Sequence, residues 1–248
     1  MNTRPDTTPT STVTAGGQLG GLAVTSRPLE AYRDMFLLTD DELVAGPVLD
    51  CPGGAASFGA QVRARGGTAV SVDPGYAVDR AQLLARVRAD LDRVVAWHRA
   101  HPGNFNWDYL GSPDALDVFF GRGLEGFAAD FALDGRRYVA ASLPDLPFAE
   151  GRFSLAVSGF LLFVHPEVFD LDAHRRCLVE LARVTDGEVR VYPVHDTSGT
   201  TYPALDELRA ALARSGVESE LRATGCSYVS TGEDRVLVCR RGRTGRGS

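Results

Sequence analysis

Residues 48–73 read VLDCPGGAASFGAQVRARGGTAVSVD, and the parsing of this stretch decides the fold. Val48–Cys51 is a short apolar run containing a carboxylate, Asp50, as expected of a buried strand. Pro52-Gly53-Gly54 then turns the chain. With no Cβ on either glycine, a ligand can approach the backbone closely. Ser57–Arg65 has helical character and stops at Gly66-Gly67. Ala69–Val72 is a second buried strand, and Asp73 stands at its C-terminal end. Strand, glycine turn, helix, strand and acid make a βαβ unit. In open parallel sheets ligands bind outside the carboxyl ends of the strands. Asp73 is thus placed to accept hydrogen bonds from a ribose diol. Taken singly, a Gly-Gly turn is often only a turn, and an acid after a strand is often only a loop end. Their combination, about twenty residues apart, points to a nucleotide-type site.

A second block lies downstream. Arg137–Ser142 (RYVAAS) reads as a third strand, followed by LPDLPFAEGRFSLAVSGFLLF, in which Phe153–Val157 forms a fourth. Together the two blocks resemble class I S-adenosylmethionine-dependent methyltransferases. That family carries a run of the type E/D-x-G-x-G-x-G, of which Asp50–Ala56 keeps the central glycines. The second block resembles its D-A-x-x-L-P-F-x-D-x-x-F-D-x-V-x-S stretch through Leu146-Pro147-Phe148, Phe153, Val157 and Ser158. Ser142 stands where the family often has an acid for the adenine amine, and Ser154 replaces the acid after Phe153.

The resemblance implies an α/β fold: a Rossmann-like, seven-stranded, mostly parallel sheet with a terminal antiparallel hairpin. It implies S-adenosylmethionine as cofactor. The residues implied to bind it are Asp50, Cys51, Pro52, Gly53, Gly54, Asp73, Pro74, Ser142, Leu143, Ser158 and Phe160. The Leu143 N–H would meet the adenine ring, and Ser158 to Phe160 would lie beside the methyl donor. A helix before the first strand often folds over the methionine end in such enzymes, which would assign that part to Tyr32, Met35 and Phe36; packing on the sheet is the alternative.

Around these blocks the chain divides into a Thr-, Pro- and Gly-rich tail over 1–27, one domain over 28–240 and a basic tail over 241–248. The tails are expected to be disordered. More than sixty residues separate Asp73 from the third strand, where a plain crossover needs about half that. A helical insert at about 76–135 is expected there. It comprises a long amphipathic helix over 81–100, the loop Asn104–Tyr109 with its three aromatics, a helix begun by Ser112-Pro113 and broken at Gly121-Arg122-Gly123, and a further helix over 124–131. As a substrate cap it would line a pocket with Phe105, Trp107 and Tyr109; otherwise these aromatics pack the insert onto the body. Further helices are expected at 172–184 and 202–215 and a fifth strand at 188–194. Val217–Ala223 and Arg235–Cys239 fit the terminal hairpin.

The chain has 248 residues, 44% hydrophobic and 23% charged, an ordinary composition for a globular domain. No apolar run approaches the roughly 20 residues of a membrane span, and a cytoplasmic location without membrane partners is expected. All 26 basic residues are arginine, which rules out Schiff-base and lysine-dependent P-loop chemistry. The net charge is −6, and four arginines (Arg240, Arg241, Arg243, Arg246) lie near the C-terminus, so the remainder is more acidic still. Such a body disfavours nucleic acid and favours a small-molecule acceptor. Cys51, Cys177, Cys226 and Cys239 lack metal or disulfide spacing, and no metal site is expected.

A methyl already activated on a sulfonium needs chiefly a positioned nucleophile, and a base if that nucleophile carries a proton. His165 after the fourth strand and His195 after the fifth are the candidate catalytic residues. Asp196 and Tyr192 are weaker candidates. Each histidine is otherwise a solvated loop residue. The competing readings are a nicotinamide-dependent oxidoreductase, a non-catalytic methyltransferase-like binding protein, and a protein methyltransferase. Acceptor atom and oligomeric state are open.

Overall fold

The computed structural model describes residues 22–131, 136–165, 168–230 and 234–242. Its centre is one sheet of seven strands: β1 (Pro47–Asp50), β2 (Thr68–Val72), β3 (Tyr138–Val139), β4 (Phe153–Gly159), β5 (Thr185–Tyr192), β6 (Val217–Ala223) and β7 (Arg235–Arg241). The order across the sheet is β3-β2-β1-β4-β5-β7-β6. The first five strands in that order run parallel, with Val48 opposite both Ala69 and Leu155. β7 is antiparallel to β5 and β6. This is the Rossmann-like sheet with a terminal antiparallel hairpin that the resemblance implied. The order reverses at β1 and β4, which opens a crevice at their carboxyl ends.

Side chains alternate across the strands and so divide the core. Leu49, Val70 and Ala156 join one apolar cluster with α7 (Leu171–Val184) and α8 (Leu205–Arg214). Val48, Ala69, Leu155 and Val157 join another with α1 (Leu29–Phe36), α2 (Asp40–Ala45) and α3 (Phe58–Ala64). Local chemistry fixes the helix ends: Thr39 and Glu42 form a capping box at α2, and the Asp170 side chain accepts from the Ala173 N–H at α7.

The insert supplies a third cluster. Its helices are α4 (Arg80–Ala100), α5 (Trp107–Leu110) and α6 (Pro113–Asp130), and α4 and α6 pack around Tyr76, Phe127 and Tyr138. Here the structure corrects the break expected at Gly121-Arg122-Gly123, because α6 runs through it unbroken. A Cβ on Gly123 would come within 2.9 Å of the Ser26 backbone, and one on Gly126 within 2.7 Å of the Ser57 Cβ. These glycines let α6 approach its neighbours closely. The third strand is also shorter than expected, only Tyr138–Val139, and Ser142 instead bridges to Asp145.

The tail expected over 1–27 needs correction as well. Residues 22–27 lie against the glycine turn, with Val24, Ser26 and Arg27 buried. The Thr25 and Arg27 carbonyls accept from the Ala55 and Ser57 amides. Residues 1–21, and 243–248 of the C-terminal tail, lie outside the described residues. No described helix is long and apolar enough to cross a membrane.

Candidate functional site

At the carboxyl ends of β1 and β2 the glycine turn is tied directly to the acid. The Gly54 N–H donates to Asp73 Oδ2 (3.1 Å) and the Gly75 N–H to Asp73 Oδ1 (2.8 Å). The Gly53 N–H donates to the Val72 carbonyl (2.8 Å), and the Tyr76 hydroxyl to the Gly54 carbonyl (2.8 Å). The turn requires its glycines. A Cβ on Gly53 would meet Tyr76 Oη at 2.6 Å, and Gly54 has φ +49° with the Thr25 carbonyl 2.9 Å from where its Cβ would sit. Burial raises the Asp73 carboxyl above its ordinary range, against the pull of the two amides and the Arg86 charge.

A cavity of about 350 Å³ opens here, within the size range of small-molecule sites. Cys51, Pro52, Gly53, Gly54, Asp73, Pro74, Ser142, Leu143 and Phe160 all line it. Tyr32 and Met35 of α1 line it too, while Phe36 belongs to the core. Two expected contacts lie elsewhere. Asp50 is fully buried below the turn and takes the Tyr32 hydroxyl on both oxygens (3.2 and 3.3 Å). Burial drives its carboxyl well up, so it braces the turn instead of lining the cavity. Ser158 is buried with an unpartnered hydroxyl and is likewise absent from the wall.

A second, smaller cavity of about 70 Å³ adjoins the first. The two share Ala23, Thr25, Arg27, Phe160 and His165. Trp97 and His98 of α4, Phe105, His195 and Tyr228 are among the further residues that line the second. The helical insert and the hairpin connection thus meet over the carboxyl edge of the sheet. Of the three loop aromatics, Phe105 is buried and stacks on His98 at 4.1 Å between ring centroids, whereas Tyr109 is exposed. Phe160 has φ +53°, a strained value for a bulky residue. Its ring lies beneath the Arg27 guanidinium, 3.8 Å from the centroid.

The histidines differ in what they can do. His165, buried, stands on the wall common to both cavities. His195 faces the Asp196 carbonyl at Nδ1 (2.7 Å) and Asp234 Oδ1 at Nε2 (2.8 Å). Both ring nitrogens thus face protein acceptors and neither is turned to a substrate, a correction to its role as candidate base. Asp234 also accepts from the Tyr192 hydroxyl (2.8 Å) and the Tyr228 N–H (2.7 Å). Burial alone would raise Asp234, but the hydrogen bonds from His195 and Tyr192 outweigh it and hold the carboxyl below its usual range. Tyr192 is therefore a buried anchor of this network, and Asp196 caps its own loop through Ser198 and Thr200. His98 meets the Val94 carbonyl and the Tyr228 hydroxyl, and burial lowers it to about 4. Among the described residues no group of three or more His, Cys, Asp or Glu side chains is arranged to hold a metal ion.

Sequence reasoning missed Arg27, Tyr228 and Asp234. Arg27 falls in the segment read as tail, and the other two lie on a polar connection with no periodicity to mark them. The one available signal was Arg27-Pro28 directly before an amphipathic helix, a pairing that fixes where the chain enters α1.

No protein-family model matches the chain. An uncharacterized protein of Methanocaldococcus jannaschii is 24% identical over 216 residues, covering 87% of this chain and 94% of its own. Among solved structures, a TehB-like S-adenosylmethionine-dependent methyltransferase from Corynebacterium glutamicum is similar with TM-score 0.41 and 15% identity, over 80% of this chain and 81% of its own. The 1,6-didemethyltoxoflavin-N1-methyltransferase of Burkholderia thailandensis, solved with 1,6-didemethyltoxoflavin and S-adenosylhomocysteine, is similar with TM-score 0.39 and 16% identity, over 79% and 71%. The assignment of the fold rests on the strand order given above.

Proposed function

We propose that the protein is an S-adenosylmethionine-dependent methyltransferase acting on a small molecule. One observation carries this reading: the Gly54 amide and the Asp73 carboxylate close on each other at the mouth of a 350 Å³ cavity at the switch point of the sheet. The donor set fits an adenosyl ligand. Asp73 spends one lone-pair direction per oxygen on a backbone amide, and a carboxylate has about four, so two remain for a ribose diol. Ser142 and Leu143 would border the base, and Tyr32 and Met35 the amino-acid end. Once bound, the cofactor would supply an electrophilic methyl on its sulfonium. The chain's own part is then to align the acceptor, exclude water and accept a proton. In this reading His165, on the shared wall, would receive that proton, and the acceptor would sit in the second cavity.

Calorimetric titration with adenosylhomocysteine tests the reading. Binding is expected in the wild type, and Asp73→Ala should weaken it by about 1.5–3 kcal/mol, the scale of a lost charged hydrogen bond. Absence of binding to the folded wild type, or unchanged affinity in the folded variant, would remove the ribose assignment.

A further inference from the structure

Arg27 is 9% exposed, and no carboxylate among the described residues lies within ion-pairing distance of it. The other buried arginine among the described residues, Arg190, is neutralised by Glu42 and Glu188. A buried, unpaired guanidinium is costly unless a ligand's charge compensates it. The partners Arg27 does have are uncharged: it donates to Thr25 Oγ1 (2.6 Å), lies against the Tyr228 hydroxyl and faces the rings of Phe160 and Phe120. With five N–H donors on its fork, most remain available. Arg27 also lines both cavities described above and a third bounded by α1 and α6. Asp196, the one acid among the described residues on the wall of the second cavity, is committed to its own loop through the Ser198 and Thr200 amides.

We propose that Arg27 is the anion-recognition residue of the acceptor site, and that the acceptor is a compact molecule carrying a carboxylate. The proposal rests on the methyltransferase reading and deepens it. A carboxylate matches the fork in two parallel hydrogen bonds. It carries one negative charge, as one guanidinium requires, whereas a phosphate with nearly two would be left undercompensated where Arg27 is the one arginine among the described residues of the wall. Trp97, Phe105 and Tyr228 offer flat apolar surfaces for the rest of the molecule. A space of 70 Å³ alone is smaller than one aromatic ring needs, so a compact acceptor would span it and the adjoining edge of the first cavity. Anchored at Arg27, the acceptor would reach toward the first cavity past His165 on the wall the two share.

The test compares benzoate with benzamide, a neutral probe of nearly the same shape, by tryptophan fluorescence and calorimetry. Full-length protein is used with and without saturating adenosylhomocysteine. Benzoate is expected to bind the wild type about tenfold tighter than benzamide. In Arg27→Met that preference should vanish while adenosylhomocysteine affinity stays within about twofold. Equal affinity for the two probes, no binding of either, or a preference that survives in Arg27→Met overturns the proposal. So does a variant that loses adenosylhomocysteine but keeps 5′-methylthioadenosine, since Arg27 would then be reading the cofactor's own carboxylate. Should Arg27→Met not fold, Arg27→Lys, which keeps the charge without the fork, is expected to show a weakened preference, and an undiminished one counts against a fork-held carboxylate. Failure of adenosylhomocysteine to bind the wild type would sink the methyltransferase reading, while the probe comparison without it still reports on Arg27.

Discussion

Held by the amides of Gly54 and Gly75 at the end of β2, the Asp73 carboxylate is nearly sealed from water. Its folded-state pKa is raised by burial, the reverse of the usual surface carboxylate. On acidification the native protein therefore takes up this proton before an unfolded aspartate would, near pH 4. Asp73 alone thus makes the native state relatively more stable as pH falls through that window, and costs stability above it. A protonated carboxyl is also a poorer partner for a diol. Affinity for adenosylhomocysteine is expected to begin falling at a pH above the ordinary aspartate range, and Asp73→Asn should flatten that limb. Calorimetry at several pH values checks this, and an acid limb that persists in the variant would place the titration elsewhere. Local pattern made Asp73 and the glycine turn legible in sequence, since strand, turn and acid lie within 26 residues. Arg27, His98 and Asp234 were not legible as site residues. Each acquires its role from chain far away, as when His98 meets Tyr228 across 130 positions, and no local pattern encodes such a meeting.

At the scale of elements, helix α6 shows why a correct list of residues can still give a wrong break. Gly121 and Gly123 read as breakers by propensity, each costing about 1 kcal/mol in a helix interior. The close approach of α6 to the Ser26–Arg27 backbone outweighs that cost, because only a glycine face admits it. The same packing seats Ser26, whose hydroxyl donates to the Phe120 carbonyl at 2.6 Å, and so holds the segment that carries Arg27. Gly123→Val is expected to destabilise the fold by about 1–3 kcal/mol through overpacking, with little loss for Gly121→Val, whose Cβ meets nothing within 4 Å beyond its own helix. Urea denaturation of the two variants separates these outcomes; valine is the better helix former of the pair, so equal losses would owe nothing to propensity and would remove the close-packing account of Gly123. The sheet was more legible than the insert for a related reason. β1, β2, β4 and the terminal hairpin carry continuous or alternating apolar residues set by burial, whereas β3 retains two residues because it pairs only with β2, at the edge of the sheet.

Across the whole molecule, an acidic chain that carries arginine and no lysine distributes its positive charge in forks. Glu188 on β5 is the clearest hub: Arg190 of its own strand, Arg222 of β6 and Arg240 of β7 all donate to it. One carboxylate thereby ties the antiparallel hairpin to the parallel half of the sheet, using a planar fork that lysine could not supply. Burial alone would raise Glu188, but the hydrogen bonds from Arg222 and Arg190 override it and bring the carboxyl to about 2. An unfolded glutamate titrates near 4.3. The stabilisation is therefore complete above that value and is lost as pH falls toward 2. Because Arg222 and Arg240 are partly open to solvent, its size should be about 1–2 kcal/mol, below a direct conversion of the shift. Glu188→Gln is expected to lower unfolding free energy by that amount at pH 7, and the gap to wild type should close as the pH approaches 2. Urea melts at pH 7 and at pH 3 read both numbers. A gap of the same size at the two pH values would show that Glu188 contributes shape and not charge, and that the hairpin is fastened to the sheet by its backbone ladder alone.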